Sequence, residues 1–261
     1  MTNGSEICTI IPCHGNPEGL RRAVASVRFQ EIPSDLVIVD DASDPRDGAA
    51  IAAIGREHGA TVLRLPERRG PAGARNTGLI RGRGRYVAFL DADDLWLPGK
   101  LGLQLAEMKR RDLDFSYMRY ANVRQERIRP MPAPPSLTRE GLLRNTAIGC
   151  STVMLRRDLL AGRRFLDAPC EDFAFWVRLL DGRGAAELIG EEVMVLRTSG
   201  GRSRNRLGAA WRYWRTVRDT LEIPLLPATG YFASYALGAA RKHWLTAAAD
   251  PVPLRERVPE L

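Results

Sequence analysis

Short apolar runs alternate with amphipathic stretches through the first hundred positions, and the runs end in polar or acidic turns. Residues 7–11 read as a strand stopped by Pro12, and residues 17–30 as a helix with Leu20, Val24 and Val27 on one face. Residues 36–39 form a second strand ending at Asp40-Asp41-Ala42-Ser43, followed by a helix through 49–58 and a third strand over 61–65. After a glycine-rich stretch, residues 86–90 form a buried strand that runs straight into Asp91, Asp93 and Asp94, and a helix over 98–109 follows. This order predicts an α/β fold with a mostly parallel sheet and helices on both faces, whose ligand crevice lies at the carboxyl ends of the strands. Both acidic clusters fall on that edge.

Three carboxylates within four positions repel one another and resist burial, so they call for solvent, a basic partner or a hard cation. An isolated D-x-D-D is also what a solvated turn capping a helix looks like, and Asp94 suits that role. An acid after the second strand can accept hydrogen bonds from a ribose or a base N–H, while acids after a later strand can hold a divalent cation against phosphate oxygens. Together they describe a site for a metal-bound nucleotide. No G-x-G-x-x-G follows the first strand, where Pro12-Cys13-His14-Gly15-Asn16 stands, and no G-x-x-x-x-G-K-[ST] occurs. Dinucleotide dehydrogenases and P-loop enzymes are thereby set aside.

The 261 residues, 44% hydrophobic, suit one domain with a C-terminal extension. A net charge of +8 attracts anionic small molecules, lipid headgroups and nucleic acid alike. No zinc-finger, RNP or helix-turn-helix signature is present, so nucleic acid is not an expected partner. Cys8, Cys13, Cys150 and Cys170 lack C-x-x-C spacing, which argues for reduced thiols over zinc or disulfides. With no charged leader followed by an apolar run, and no apolar stretch of about 20 residues, the expected location is cytoplasmic and not transmembrane.

Five motifs stand in register: Thr9-Ile10-Ile11-Pro12, Val39-Asp40-Asp41-Ala42-Ser43, Gly73-Ala74-Arg75-Asn76-Thr77-Gly78, Leu90-Asp91-Ala92-Asp93-Asp94 and Glu171-Asp172-Phe173-Ala174-Phe175-Trp176. In order and separation, over roughly residues 7 to 200, they resemble a family-2 glycosyltransferase of the GT-A fold. The resemblance implies a GT-A Rossmann-like catalytic domain over 1–200, with a nucleotide-binding half to about residue 95 and an acceptor-binding half from 96, and a basic helical extension over 201–261. It implies nucleotide contacts at Pro12, Asp41, Arg75 and Asp91, a metal ligand at Asp93, and Asp172 as general base with Glu171 beside it. Arg75 could equally be a structural ion pair orienting Asp41 or Asp91, and Asp172 an N-cap without chemistry. Cys150, Ser151, Glu171 and Trp176 are placed on the acceptor side, although a small buried cysteine packing the sheet is the commoner outcome.

The implied reaction is inverting transfer of a sugar from a nucleotide-diphosphate donor, a UDP-sugar first, to a hydroxyl acceptor, with Mn2+ or Mg2+ as cofactor. A carboxylate that takes the proton of the attacking hydroxyl makes that step feasible. Many relatives carry an Arg-x-His stretch after the base, whereas this chain reads Leu196-Arg197-Thr198, with Arg197, Arg202 and Arg204 as alternative sources of positive charge. A lipid-linked saccharide acceptor in surface polysaccharide or glycolipid synthesis follows from the breadth of the family and the basic C-terminus. A peptide or small natural-product acceptor, and a non-catalytic nucleotide-binding partner protein, are the alternatives.

Between 197 and 218 there are arginines and no acids. Helical spacing puts Leu207, Trp211, Trp214, Val217 and Leu221 on one face, with Arg212 and Arg215 opposite. Such a helix could lie peripherally on the inner face of an anionic membrane or pack on the catalytic domain. Pro224, Pro227 and Gly230 are expected to break the next apolar run.

Overall fold

The structure, a computed structural model of the chain, describes residues 5–124, 127–198, 206–247 and 252–253. Three βα units open it: β1 (Ile7–Cys13), α1 (Pro17–Arg28), β2 (Ser34–Asp40), α2 (Pro45–Glu57), β3 (Thr61–Arg64) and α3 (Gly70–Arg81). β4 (Tyr86–Phe89) follows, then the short β5 (Asp94–Trp96) and α4 (Lys100–Arg110). The middle of the chain supplies β6 (Phe115–Arg124), β7 (Arg127–Pro130), β8 (Ser136–Leu137), α5 (Arg139–Arg144), a 3-10 turn at Cys150–Thr152, β9 (Met154–Arg156) and α6 (Arg157–Leu160). α7 (Glu171–Leu179), β10 (Ala186–Arg197), α8 (Arg206–Arg215), a π turn at Thr216–Thr220, α9 (Leu225–Ala247) and β11 (Val252–Pro253) complete it.

β3, β2, β1 and β4 lie side by side and parallel, β9 joins β4 antiparallel, and β6 continues the sheet beyond β9. β10 runs parallel to β6, and its last residues pair antiparallel with β5, setting Arg197 opposite Asp94. Side chains along the strands alternate between two cores, as a pleated strand requires. Ile7, Ile11, Leu36 and Ile38 face α1, α2 and α4; Cys8, Ile10, Val37 and Val39 face α3, α5, α7 and the C-terminal helices. The expected mostly parallel sheet with helices on both faces is what forms.

Several local expectations need correction. Pro12 does not stop β1, which continues to Cys13. The Ile10 carbonyl accepts from Leu90, so Pro12, two residues on, points to the same side, where β4 has already ended and no N–H is needed. The glycine-rich stretch after residue 70 is the helix α3, in which Gly78 lies against the Ile10 side chain: a Cβ there would sit 2.5 Å from Ile10 Cγ2. Close packing on the sheet overrides the low helix propensity of glycine. Residues 150–152 form a 3-10 turn before the strand begins at Met154. Asp94 caps no helix: it lies in β5, and the N-cap of α4 is Gly99.

The C-terminal helices pack into the larger core through Tyr213, Val217, Ile223 and Ala228. The stripe expected on α8 is shifted, since Leu207 and Trp211 are exposed while Tyr213, Thr216 and Val217 are buried. Neither Pro227 nor Gly230 breaks α9; Pro227 sits in the first turn, where its missing N–H has no helical partner to lose. Arg202 and Arg204 lie outside the described residues, as does the tail beyond 253.

Candidate active site

The carboxyl ends of β2 and β4 bring the two acidic clusters to one edge of the sheet. At the end of β2, Asp40 is consumed by structure: its carboxylate accepts from the Ser43 amide at 2.9 Å and from Arg64 Nη1 at 3.0 Å. Asp41, also buried, accepts from the Arg69 amide at 2.6 Å through Oδ1, while its carbonyl meets His14 Nδ1 at 2.8 Å. Among the described residues no partner is bonded to its Oδ2.

The turn after β4 is built around Ser151. Its hydroxyl accepts from the Asp91 amide at 3.1 Å and donates to Asp94 Oδ2 at 2.7 Å, while its carbonyl accepts from Trp96 Nε1 at 2.8 Å. Asp94 is buried, and Arg197 Nε approaches its Oδ2 at 3.7 Å. Burial first, then the neighbouring Asp91 charge, pushes the Asp94 carboxyl up to about 7. Thr198, where a histidine was sought, donates its hydroxyl to the Asp93 carbonyl, so the end of β10 does reach this turn. The Asp93 carboxylate has no hydrogen-bond or ion-pair partner among the described residues.

Arg75 joins this turn to the second acidic pair. From α3 its buried guanidinium donates to Asp91 Oδ1 at 2.7 Å and to Glu171 Oε1 at 2.9 Å, and it lies 5.5 Å from the Phe165 ring centroid. Asn76 fixes that ring's backbone by accepting from Phe165 N at 2.9 Å and donating to Phe165 O at 2.8 Å. The expected ion pair of Arg75 with Asp91 is present. Asp172 is the second residue of α7 and not its cap, which is Cys170. Its Oδ1 accepts from the Phe173 amide at 2.8 Å, and burial with the Glu171 charge raises its carboxyl to about 6.

The residues expected on the acceptor side are mostly packed away. Trp176 is 1% exposed, between Phe89, Phe115, Phe165 and Phe175. Cys150 is buried with its thiol pushed up by burial, Ser151 spends its hydroxyl on the acidic turn, and Glu171 is committed to Arg75. Pro12 is likewise buried in β1. The clamp made by Ser151 went unrecognised in the sequence because its partners are 60 and 57 residues away.

The carboxylates of Asp91, Asp93 and Asp94 each offer an oxygen, all within 4.8 Å of one another. Hard oxygen donors at this spacing suit Mg2+ or Mn2+. A buried Asp94 Oδ1 without a hydrogen-bond partner fits the same demand, because a cation would relieve both the crowding and the unmet acceptor.

Residues 8–165 match the sequence model of Glycosyl transferase family 2. TuaG of Bacillus subtilis (strain 168), provisionally named a teichuronic acid biosynthesis glycosyltransferase, is 33% identical over 253 residues, 93% of this chain and 99% of its own length. WfgD of Escherichia coli, named a UDP-Glc:alpha-D-GlcNAc-diphosphoundecaprenol beta-1,3-glucosyltransferase, is 31% identical over 242 residues, 91% of this chain and 94% of its own. The crystal structure of S. aureus TarS 1-349 in complex with UDP-GlcNAc superposes with a TM-score of 0.66 at 18% identity, covering 88% of this chain and 70% of that one.

Proposed function

The chain belongs to glycosyl transferase family 2, and we propose that it transfers a sugar from a UDP-sugar, with inversion, to a hydroxyl of a lipid-diphosphate-linked saccharide during bacterial surface polysaccharide synthesis. The observation that carries this reading is the Asp91–Arg75–Glu171 bridge, which ties the acidic turn after β4 to the start of the helix bearing Asp172. A donor diphosphate at the first and an acceptor hydroxyl at the second would then lie on one side of the sheet.

Asp41 Oδ2 accepts a hydrogen bond from the donor base. Asp93 is the principal metal ligand, supported by Asp91, and a divalent cation bound there would neutralise the diphosphate leaving group. Asp94 holds the turn through Ser151 and Arg197. Asp172, raised toward neutrality by burial, takes the proton of the acceptor hydroxyl as it attacks, and Arg75 keeps Glu171 from competing for that proton. The donor and acceptor classes rest on what WfgD is named for.

Six basic residues against two acidic ones between 206 and 247, together with exposed Leu207, Trp211, Leu226 and Leu237, support peripheral contact with an anionic membrane. No described helix is long and apolar enough to cross one. Residues 1–200 are read as the catalytic unit, with residues 201–261 as its basic C-terminal extension.

A thermal-shift panel of UDP, GDP, dTDP and CDP, each with and without Mn2+, tests the donor assignment. The expected outcome is a shift for UDP that grows with metal, since a ligand binding only the folded state raises its stability. A larger shift with GDP, or one indifferent to metal, overturns the assignment.

A further inference from the structure

The first turn of α7 has an anchor outside the family-matched region. Its N-cap, Cys170, makes no side-chain cap hydrogen bond. The Cys170 carbonyl accepts from the Ala174 amide at 3.0 Å, and its own amide donates to Thr216 Oγ1 at 3.1 Å. Thr216 is fully buried and opens the π turn that ends α8. Its hydroxyl in turn donates to the Arg212 carbonyl at 2.8 Å, so both the donor and the acceptor side of that oxygen are engaged. In this widened turn the Leu221 amide reaches back to the Thr216 carbonyl at 2.9 Å, and Thr216 and Val217 are both buried. Beside this contact Phe173 packs on Tyr213 at 5.4 Å between centroids, and Tyr213 stacks on Tyr235 of α9 at 4.2 Å.

Asp172 is held by less. Its one hydrogen bond among the described residues comes from the Phe173 amide, within the same first turn. The direction of that carboxylate therefore follows the backbone of residues 170–173, and that backbone is fixed at its start by a side chain from the C-terminal helices.

We infer that Thr216 is a positioning residue for Asp172: its hydroxyl fixes the first turn of α7 and so aims the carboxylate, which makes the C-terminal helical pair a structural part of the active site. The inference rests on the reading of Asp172 as base.

The test uses the full chain with Thr216→Val, which keeps shape and removes the hydroxyl, Thr216→Ser, which restores it, and Asp172→Asn as reference. Hydrogen exchange is followed in peptides covering 170–174 and, as a remote control, β2. Turnover is measured with UDP-glucose and a synthetic alkyl diphosphate-linked N-acetylglucosamine. With Thr216→Val, exchange at 170–174 should rise about tenfold with β2 unchanged, and kcat should fall about tenfold with the donor KM within about twofold, the loss of one buried hydrogen bond at a site that must be aimed. Thr216→Ser should return both toward wild type. Exchange that is unchanged at 170–174, or that rises equally in β2, overturns the inference, as does wild-type turnover of Thr216→Val. The exchange arm needs no acceptor and decides even where this acceptor is not used. Wild-type turnover by Asp172→Asn would instead sink the base assignment, so the two failures are separable.

Discussion

The turn after β4 and the start of α7 are alike in sequence, each a cluster of adjacent acids, yet the fold treats their members differently. In the turn, Asp91 is paired with Arg75 and Asp94 is held by Ser151 and Arg197, while Asp93 has no cationic partner among the described residues. At the helix start, Glu171 is paired with Arg75, and Asp172 has only the Phe173 amide. One guanidinium thus pairs with an acid of each cluster, and the acids without a cation, Asp93 and Asp172, are the two to which the proposed reading gives the metal and the proton.

Removing the bridge should break both clusters at once. Arg75→Met removes the cation that half-buried Asp91 and buried Glu171 share, and an expected loss of about 3–5 kcal/mol should be visible in urea melts. A variant melting like wild type would mean that solvent, and not Arg75, balances the two acids. Asp172→Asn should separate the clusters, lowering kcat about 10³-fold, or about 4 kcal/mol of barrier, with the Mn2+-dependent UDP affinity intact. Equal loss of nucleotide affinity would show that the helix start belongs to the donor site.

The same substitution has a pH signature. The Asp172 carboxyl is raised in the folded protein to about 6 from an ordinary 3.8, so the folded state favours its protonated form. Stability from this group is present below the unfolded value and is lost as pH rises through the folded one. Asp172→Asn should therefore be more stable than wild type by about 3 kcal/mol at pH 8 and equal to it near pH 3, checked by denaturation at both. A gain that does not depend on pH would point to packing instead. Asp93→Ala should weaken UDP binding about tenfold in Mn2+ and abolish its metal dependence, read by calorimetry. Ser151→Ala, which frees the turn without removing an acid, should cost about 1 kcal/mol of stability and a few-fold in the same metal-dependent affinity. If Ser151→Ala matched Asp93→Ala, the distinction between tied and untied acids would blur.

Much of this was legible in the sequence where the cause is local. Strand periodicity placed β1 to β4 and put Asp41 and Asp91 on one edge, and the separations of the motifs carried the family. What was hidden depends on distant partners. The bond from Arg75 to Glu171 spans 96 positions, so which acids it would occupy could not be read. Trp176, expected on the acceptor side, is instead packed in the aromatic core. The face of α8 differs from its apolar stripe because Tyr213 is drawn into the core by distant rings, Phe173 of α7 and Tyr235 of α9, which leaves Leu207 and Trp211 outside. In α3, the need for glycine at position 78 is set by the Ile10 side chain of β1, a partner far away in sequence.

The long reach of Arg75 also bears on how the chain comes to be. Contacts between residues far apart in sequence close large loops and form late. During synthesis from the N-terminus, β1 to β4 can pair before α7 has left the ribosome, but Arg75 then lacks its Glu171 partner and the first turn of α7 lacks Thr216. If Thr216 positions Asp172 as inferred, a nascent chain presents no assembled site until the C-terminal helices have docked, and sugar transfer waits for them.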